Sequence, residues 1–234
     1  MGIRSEIVES RGVVYTEAPR GRGTFISTMR AAFAFLRVVF RPDRLQYVID
    51  FVDAMTSLPV VSRPLVEELK RSEHGRRALR EKIRVRLSLE PLLQLPPETL
   101  GRRFAEHLQS HGLDPAALPA RSAQTDDAYL AAHLYETHDI WHVVTGFKTD
   151  KPGELGLQAF YAAQLPSRVA VGILAIGMVQ TLFQGFSERS ERLEQISRGA
   201  RMGKAAVPLA GVDWQSLWTT PLLEVQQQLK IQLA

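Results

Sequence analysis

His138-Asp139-Ile140-Trp141-His142, then Glu154 after eleven intervening residues, is the stretch with the clearest capacity for chemistry. On a helix Asp139 stands about 100° and His142 about 40° from His138, so three ligand-capable side chains share one arc. Glu154 follows a turn, at the start of the next helix, and can fold back toward that arc. Two imidazoles and two carboxylates suit Zn²⁺, Fe²⁺ or Mn²⁺. The alternative for the same spacing is a structural, hydrogen-bonded cluster.

Two familiar patterns do not apply. A zincin needs His-Glu-x-x-His, with the glutamate as general base. Here Asp139, one methylene shorter, fills that slot and is free to act as a ligand instead. A phosphohydrolase of the His-Asp type needs further ligands from separated segments, and His74, His107, His111 and His133 are not spaced to supply them. His133 stands about 140° from His138 and is expected to be structural. Trp141, at about 300°, is expected to pack. Tyr135, near 60°, either holds a ligand or substrate oxygen by hydrogen bond or packs.

The elements that must position these residues are helical. Residues 1–23, with Pro19, Gly21 and Gly23, are expected to be irregular. Apolar periodicity then predicts helices over Thr24–Phe40, Arg44–Leu58, Leu65–His74, Arg76–Glu90 and Thr99–Leu108. The motif helix is expected over Asp126–Thr145, with Thr125 as cap and Gly146 as its stop. Further helices are expected over Glu154–Leu165, over a segment from Val169 that turns polar through Glu188 to Glu194, and over Asp213–Leu229 with a break at Pro221. No alternating strands or internal repeats appear, so the expected architecture is all-α, a single domain of seven to nine helices over residues 24–234.

Composition narrows the function classes. The 234 residues contain no cysteine, which excludes disulfides, thiolate nucleophiles and Cys-ligated metal sites. The formal net charge of +4 does not call for nucleic acid and is compatible with an anionic membrane surface or a phosphate. Arg63–Arg103 alone holds eleven Lys and Arg against six Asp and Glu; such a surface suits acidic headgroups, or is simply a solvated helix face. Val169–Val179 carries no charged or amide side chain but is too short to span a bilayer. Val169, Ile173, Leu174, Ile176 and Val179 either line a groove for isoprene units, with Tyr135 beside the motif, or pack in an ordinary core. The start, Met1-Gly2-Ile3-Arg4-Ser5-Glu6, lacks the apolar run of a signal peptide, so a cytoplasmic location is expected.

The sequence resembles the ubiquinone biosynthesis protein COQ4 family. That family's hallmark, His-Asp-x-x-His-x₁₁-Glu, is matched by His138, Asp139, His142 and Glu154 with unchanged spacing. Leu95-Pro96-Pro97-Glu98-Thr99-Leu100-Gly101 resembles the family's Leu-Pro-x-Gly-Thr-Leu-Gly, with Glu98 where glycine is usual. Gly153, Phe160 and Gln164 fit the following helix, and Gly203-Lys204, Pro208-Leu209 and Gly211-Val212-Asp213-Trp214 look like the C-terminal segment of bacterial members. The likeness covers about Leu45–Leu229. It implies an all-helical fold, a divalent metal (Zn²⁺ or Fe²⁺) at the motif, and a prenylated quinone precursor or other isoprenoid lipid as ligand. It implies a peripheral position on the inner face of a bacterial membrane, with other quinone-biosynthesis proteins or a second copy of the chain as partners. The activity it implies is replacement of the C1 carboxylate of the precursor ring by a hydroxyl, with His138, Asp139, His142 and Glu154 as catalytic and ligand residues. No flavin or nicotinamide motif is present. The rival reading is a lipid-binding scaffold whose metal cluster only fastens helices together.

Overall fold

The computed structural model describes residues 22–40, 45–56, 58–85, 88–113 and 123–233. These form eleven α-helices: α1 (Arg22–Phe40), α2 (Leu45–Thr56), α3 (Pro59–Leu69), α4 (Glu73–Glu81), α5 (Leu89–Leu93), α6 (Leu100–Ser110), α7 (Asp126–Thr145), α8 (Lys151–Gln164), α9 (Arg168–Gln184), α10 (Arg189–Ala205) and α11 (Leu222–Gln228). No strand occurs among the described residues, so the chain is all-α. The irregular segment expected over 1–23 lies outside the described residues as far as residue 21.

α7 is the axis of the fold, and its ends are written locally. The Thr125 hydroxyl accepts from the Ala128 N–H, and Asp126 and Asp127 favour the positive end of the helix dipole. Gly146 closes the helix at φ 67°, the left-handed region that glycine enters without steric cost, and its N–H returns to the His142 carbonyl at 2.9 Å. Tyr129, Leu130, Ala132, Ile140, Trp141 and Val144 are all buried, so the core wraps this helix on more than one side.

α6 and α11 meet through backbone. The Leu100 and Gly101 N–H groups donate to the Thr220 and Trp218 carbonyls, and the Leu222 N–H donates to the Glu98 carbonyl, each at 2.8–2.9 Å. The stretch Leu95–Gly101 thereby turns α5 into α6 and fastens it to the C-terminal region. α8 and α10 approach still more closely. A Cβ at Gly199 would fall 1.9 Å from the Gly156 carbonyl oxygen, and one at Gly203 would fall 2.8 Å from that of Phe160. Only hydrogen fits between the two backbones, as at other small-residue helix contacts.

α9 packs against α1 and α2. Ile176 is buried with Ala34, Val38 and Phe51, Ile173 and Val179 pack on that cluster, and Val169 packs on Ala31, Ala54, Leu58 and Val61. Leu174 is half-buried. Four of the residues expected to line a lipid groove are thus part of the helix packing, and the structure does not show the groove. The opposite flank of these helices is apolar and exposed: Met29, Phe33 and Leu36 on α1, Val171, Met178, Leu182 and Phe183 on α9, and Phe186 beyond it. No single helix among the described residues is long and apolar enough to cross a membrane.

Several boundaries differ from expectation. The helix expected over 76–90 stops at Glu81, because Lys82 turns left-handed (φ 50°), and α5 is a separate short helix. α3 begins at Pro59 and ends at Leu69, taking Pro64 into its interior. The long helix expected from Val169 breaks at Gly185, where a Cβ would sit 2.5 Å from the Arg192 guanidinium, and α10 runs on to Ala205. Arg192 is buried at that corner. It donates to Thr181 Oγ1 at 2.8 Å and pairs with Glu188 at 2.7 Å.

Candidate metal centre

The turn between α7 and α8 delivers the acid to the two histidines. The Asp150 carboxylate caps α8 by accepting the Gly153 N–H at 2.8 Å, and Pro152 in the first turn lacks the N–H that would otherwise be left over. A Cβ at Gly153 would lie 2.1 Å from the Lys148 carbonyl oxygen, so the turn closes this tightly only with glycine. Glu154 follows in the first turn of α8. From the far side, Arg198 of α10 donates to the Thr145 carbonyl at 3.0 Å and lies over the Phe147 ring, holding the end of α7 in place.

His138, His142 and Glu154 each offer a ligand atom, and these atoms lie within 4.8 Å of one another. His142 Nε2 stands 3.1 Å from Glu154 Oε1, and His138 Nε2 stands 3.7 Å from Glu154 Oε2. The His142 side chain is 1% exposed, whereas His138 and Glu154 keep 34% and 37% of their side-chain surface open. The centre is therefore closed at the back and accessible at the front.

The donor set fits a divalent cation for a specific reason. His142 Nδ1–H donates to the Phe147 carbonyl at 2.9 Å, which leaves a lone pair on Nε2 of the neutral ring. That Nε2 is buried and makes no aligned hydrogen bond, although the Glu154 oxygen is close enough for an ion pair. Two acceptors face each other, and a positive charge must sit between them. An imidazole oriented by a backbone carbonyl through its second nitrogen is the usual support of a metal ligand. Without a cation a proton serves. Burial opposes the charged His142, but Glu154, the Phe147 carbonyl and Asp139 outweigh it and hold its pKa above the ordinary value. Burial likewise raises Glu154, yet the imidazoles hold it below the usual carboxylate range. At His138 burial wins over Glu154 and the pKa falls.

Asp139, the fourth expected ligand, stands outside the three-residue group and acts on it through charge. Trp141 is fully buried and packs, as expected. His133 is structural, as expected: it is buried on α7, and its Nε2 accepts the Gly211 N–H at 3.0 Å. Tyr135 is half-buried on α7.

Three neighbours of the centre escape a reading of the motif alone. Tyr161 is stacked between Trp141, at 4.1 Å between ring centroids, and His138, at 6.1 Å. Burial, with Glu154 and Asp139 nearby, pushes its hydroxyl well above the ordinary pKa, so it stays a neutral phenol. The available signal was its position seven residues after Glu154, on the same helix face. His107 of α6 and His111, which caps that helix, also come beside the centre, His107 lying 6.1 Å from His142 between ring centroids. Their spacing of four repeats that of His138 and His142, which was the only local sign of them.

Comparison with known proteins gives a consistent picture. The family model described as coenzyme Q (ubiquinone) biosynthesis protein Coq4 matches residues 24–234. The mitochondrial ubiquinone biosynthesis protein COQ4 of Eremothecium gossypii is 27% identical over 206 residues, which is 85% of this chain and 62% of that protein. The corresponding protein of Botryotinia fuckeliana is 33% identical over 126 residues, 52% of this chain and 45% of that one. The chain thus spans less than two thirds of the length of these mitochondrial relatives. The crystal structure of a candidate ubiquinone biosynthesis protein from Nostoc punctiforme superposes with a TM-score of 0.76 at 30% identity, covering 87% of this chain and 98% of that one. With the family model running through all but the first residues, and with the fold shared along most of its length, the chain belongs to the Coq4 family.

Proposed function

We propose that this chain acts in the biosynthesis of ubiquinone or a related prenylquinone. In this reading it binds a prenylated aromatic acid derived from 4-hydroxybenzoate and replaces the ring C1 carboxylate by a hydroxyl. The C1–carboxylate bond breaks with release of CO₂, the oxygen of a water molecule enters at C1, and the two electrons and two protons released pass to an external two-electron oxidant such as O₂, which leaves as H₂O₂. The observation that carries the reading is the buried, unmatched His142 Nε2 facing Glu154 in a cluster that stays open on the His138 side.

His138, His142 and Glu154 would hold the divalent ion, Zn²⁺ or Fe²⁺; when bound it supplies Lewis acidity and a template for carboxylate and phenolate oxygens. Three protein ligands leave positions for substrate, and two histidines with one carboxylate also suit a non-haem Fe²⁺. The Phe147 carbonyl fixes the tautomer and orientation of His142. Asp139 adds negative charge beside both histidines, which tunes what the centre binds. Tyr161 walls the site behind His138 with a ring that carries no charge. The exposed apolar flank of α1 and α9, together with the basic surface, supports a peripheral position on the inner face of a bacterial membrane, where the prenyl chain resides. Other enzymes of the pathway or a second copy of the chain would meet it there.

Asp139→Asn tests the reading, because it keeps size and shape and removes the charge. In a strain lacking the protein, with expression, prenyl-lipid binding and partner co-purification matched to wild type, the variant should fail to restore quinone production. Full production by a stable variant would leave the scaffold reading in its place.

A further inference from the structure

Beside the centre, four imidazoles stand in a row that passes from exposed His111 through buried His142 to the half-open His138. His111 is followed by His107 at 4.5 Å between ring centroids, His107 by His142 at 6.1 Å, and His142 by His138 at 4.8 Å. His107 belongs to α6 and His111 caps its C-terminus, and both lie outside the motif on α7. His111 is exposed and pinned at both nitrogens. Its Nδ1 lies 2.8 Å from the His107 carbonyl oxygen, so it donates there. Its Nε2 then accepts from Thr149 Oγ1 at 2.8 Å. Thr149 sits in the turn that delivers Glu154, so α6 is tied to the same turn that builds the centre.

His107 Nε2 is buried and has no hydrogen-bond partner, a state shared by its neighbour His142 Nε2. The two rings lie nearly parallel, with 20° between their planes. Buried polar atoms in native proteins are matched, and an unmatched pair at one place points to a bound group that carries both partners. His107 is not part of the ligand group, whose atoms are mutually within 4.8 Å. A bridging water would match both atoms but brings no negative charge to a cation. A carboxylate has two oxygens, one for a cation and one for a donor set beside it, and an anionic acceptor makes the stronger hydrogen bond.

We propose that His107 recognises the carboxylate of the bound aromatic acid: its Nε2–H donates to one carboxylate oxygen, leaving the other for the cation held by His138, His142 and Glu154. This rests on the reading of the centre as the seat of an aromatic acid. His107 is then a residue that determines specificity for the acid over the same ring without its carboxylate.

The test uses the full chain loaded with Zn²⁺ and two probes, 3-farnesyl-4-hydroxybenzoate and 2-farnesylphenol, measured by titration calorimetry. Wild type should favour the acid. His107→Phe should lose about tenfold or more of its affinity for the acid, with affinity for the phenol unchanged. His107→Gln, which keeps an N–H donor, should recover part of the loss and carries the comparison should the phenylalanine variant not fold. Zn²⁺ affinity, measured against a competing chelator, should stay at the wild-type value in both. An undiminished preference for the acid in His107→Phe overturns the role of His107 while leaving the function standing. A parallel fall in Zn²⁺ affinity also overturns it, by assigning His107 to the ion. Zn²⁺-saturated wild type that binds neither probe overturns the inference and the proposed function together.

Discussion

His142 and Glu154 face each other across the turn between α7 and α8, with Nε2 and Oε1 3.1 Å apart and the other imidazole nitrogen already committed to the Phe147 carbonyl. A buried ring so constrained presents its lone pair to a carboxylate. The arrangement calls for a positive charge between them, which a proton on His142 or a bound cation can supply.

The purified chain should therefore take up about one divalent ion. Because His142 is the closed, pre-oriented ligand, His142→Ala should weaken binding by roughly 100-fold or more. Equal, near-stoichiometric metal content in wild type and a His138→Ala/His142→Ala double variant, measured by elemental analysis, would contradict the assignment.

Stability should fall on mild acidification, and His133 should account for a defined part of the loss. Its Nε2 accepts the Gly211 N–H, and burial pushes its pKa down to about 4 from an ordinary 6.5. The unfolded chain takes up this proton as the pH drops through 6.5, whereas the folded chain resists until about 4. The contribution is complete above 6.5 and is lost progressively toward 4, on the order of 3 kcal/mol in all. Urea denaturation at a series of pH values should show this limb flattened in His133→Gln. An identical slope in the variant would show that other groups cause it.

Gly199→Ala should destabilise the chain although it adds only a methyl group. Its Cβ would lie 1.9 Å from the Gly156 carbonyl oxygen, and backbone cannot yield as a side chain does. A loss of about 3 kcal/mol in chemical denaturation is expected, accompanied by weaker metal binding because α8 carries Glu154. Wild-type values for both would mean that the helices separate freely at this point.

Binding to vesicles containing anionic lipid should occur at low salt and weaken as salt rises. Leu182→Ser/Phe183→Ser should reduce co-sedimentation roughly tenfold or more, since these side chains are 63% and 77% exposed and have no core to leave. Absence of binding at low salt, or no effect of the double variant, would remove this face from the membrane.

How much of this was legible depended on whether the determining contact is local. The bounds of α7 follow from Thr125 and Gly146, residues that act within one turn, and both are where the sequence places them. The meeting of His138, His142 and Glu154 follows from helical spacing plus a short turn. Asp139 shares their arc on a wheel, yet the wheel carries no depth, and it stays outside the group. Leu79, Ile83 and Leu87 continue a helical period beyond Glu81, but Lys82 turns left-handed and ends the helix regardless. The break at Gly185 depends on Arg192 seven positions later, and the place of His107 depends on how α6 lies against α7. Neither can be read from periodicity.

The backbone pairing of residues 98–101 with 218–222 also constrains the order of events during synthesis. Domains tend to organise from the N-terminus as the chain emerges. Here the start of α6 obtains its hydrogen-bond partners from residues 218–222, far later in the chain. A nascent chain halted before Trp218 should leave α6 open to proteases and the imidazole row unassembled. The row of imidazoles beside the centre would then be completed only once residues 218–222 have been made, and the folding of α6 waits on a segment that is distant in sequence.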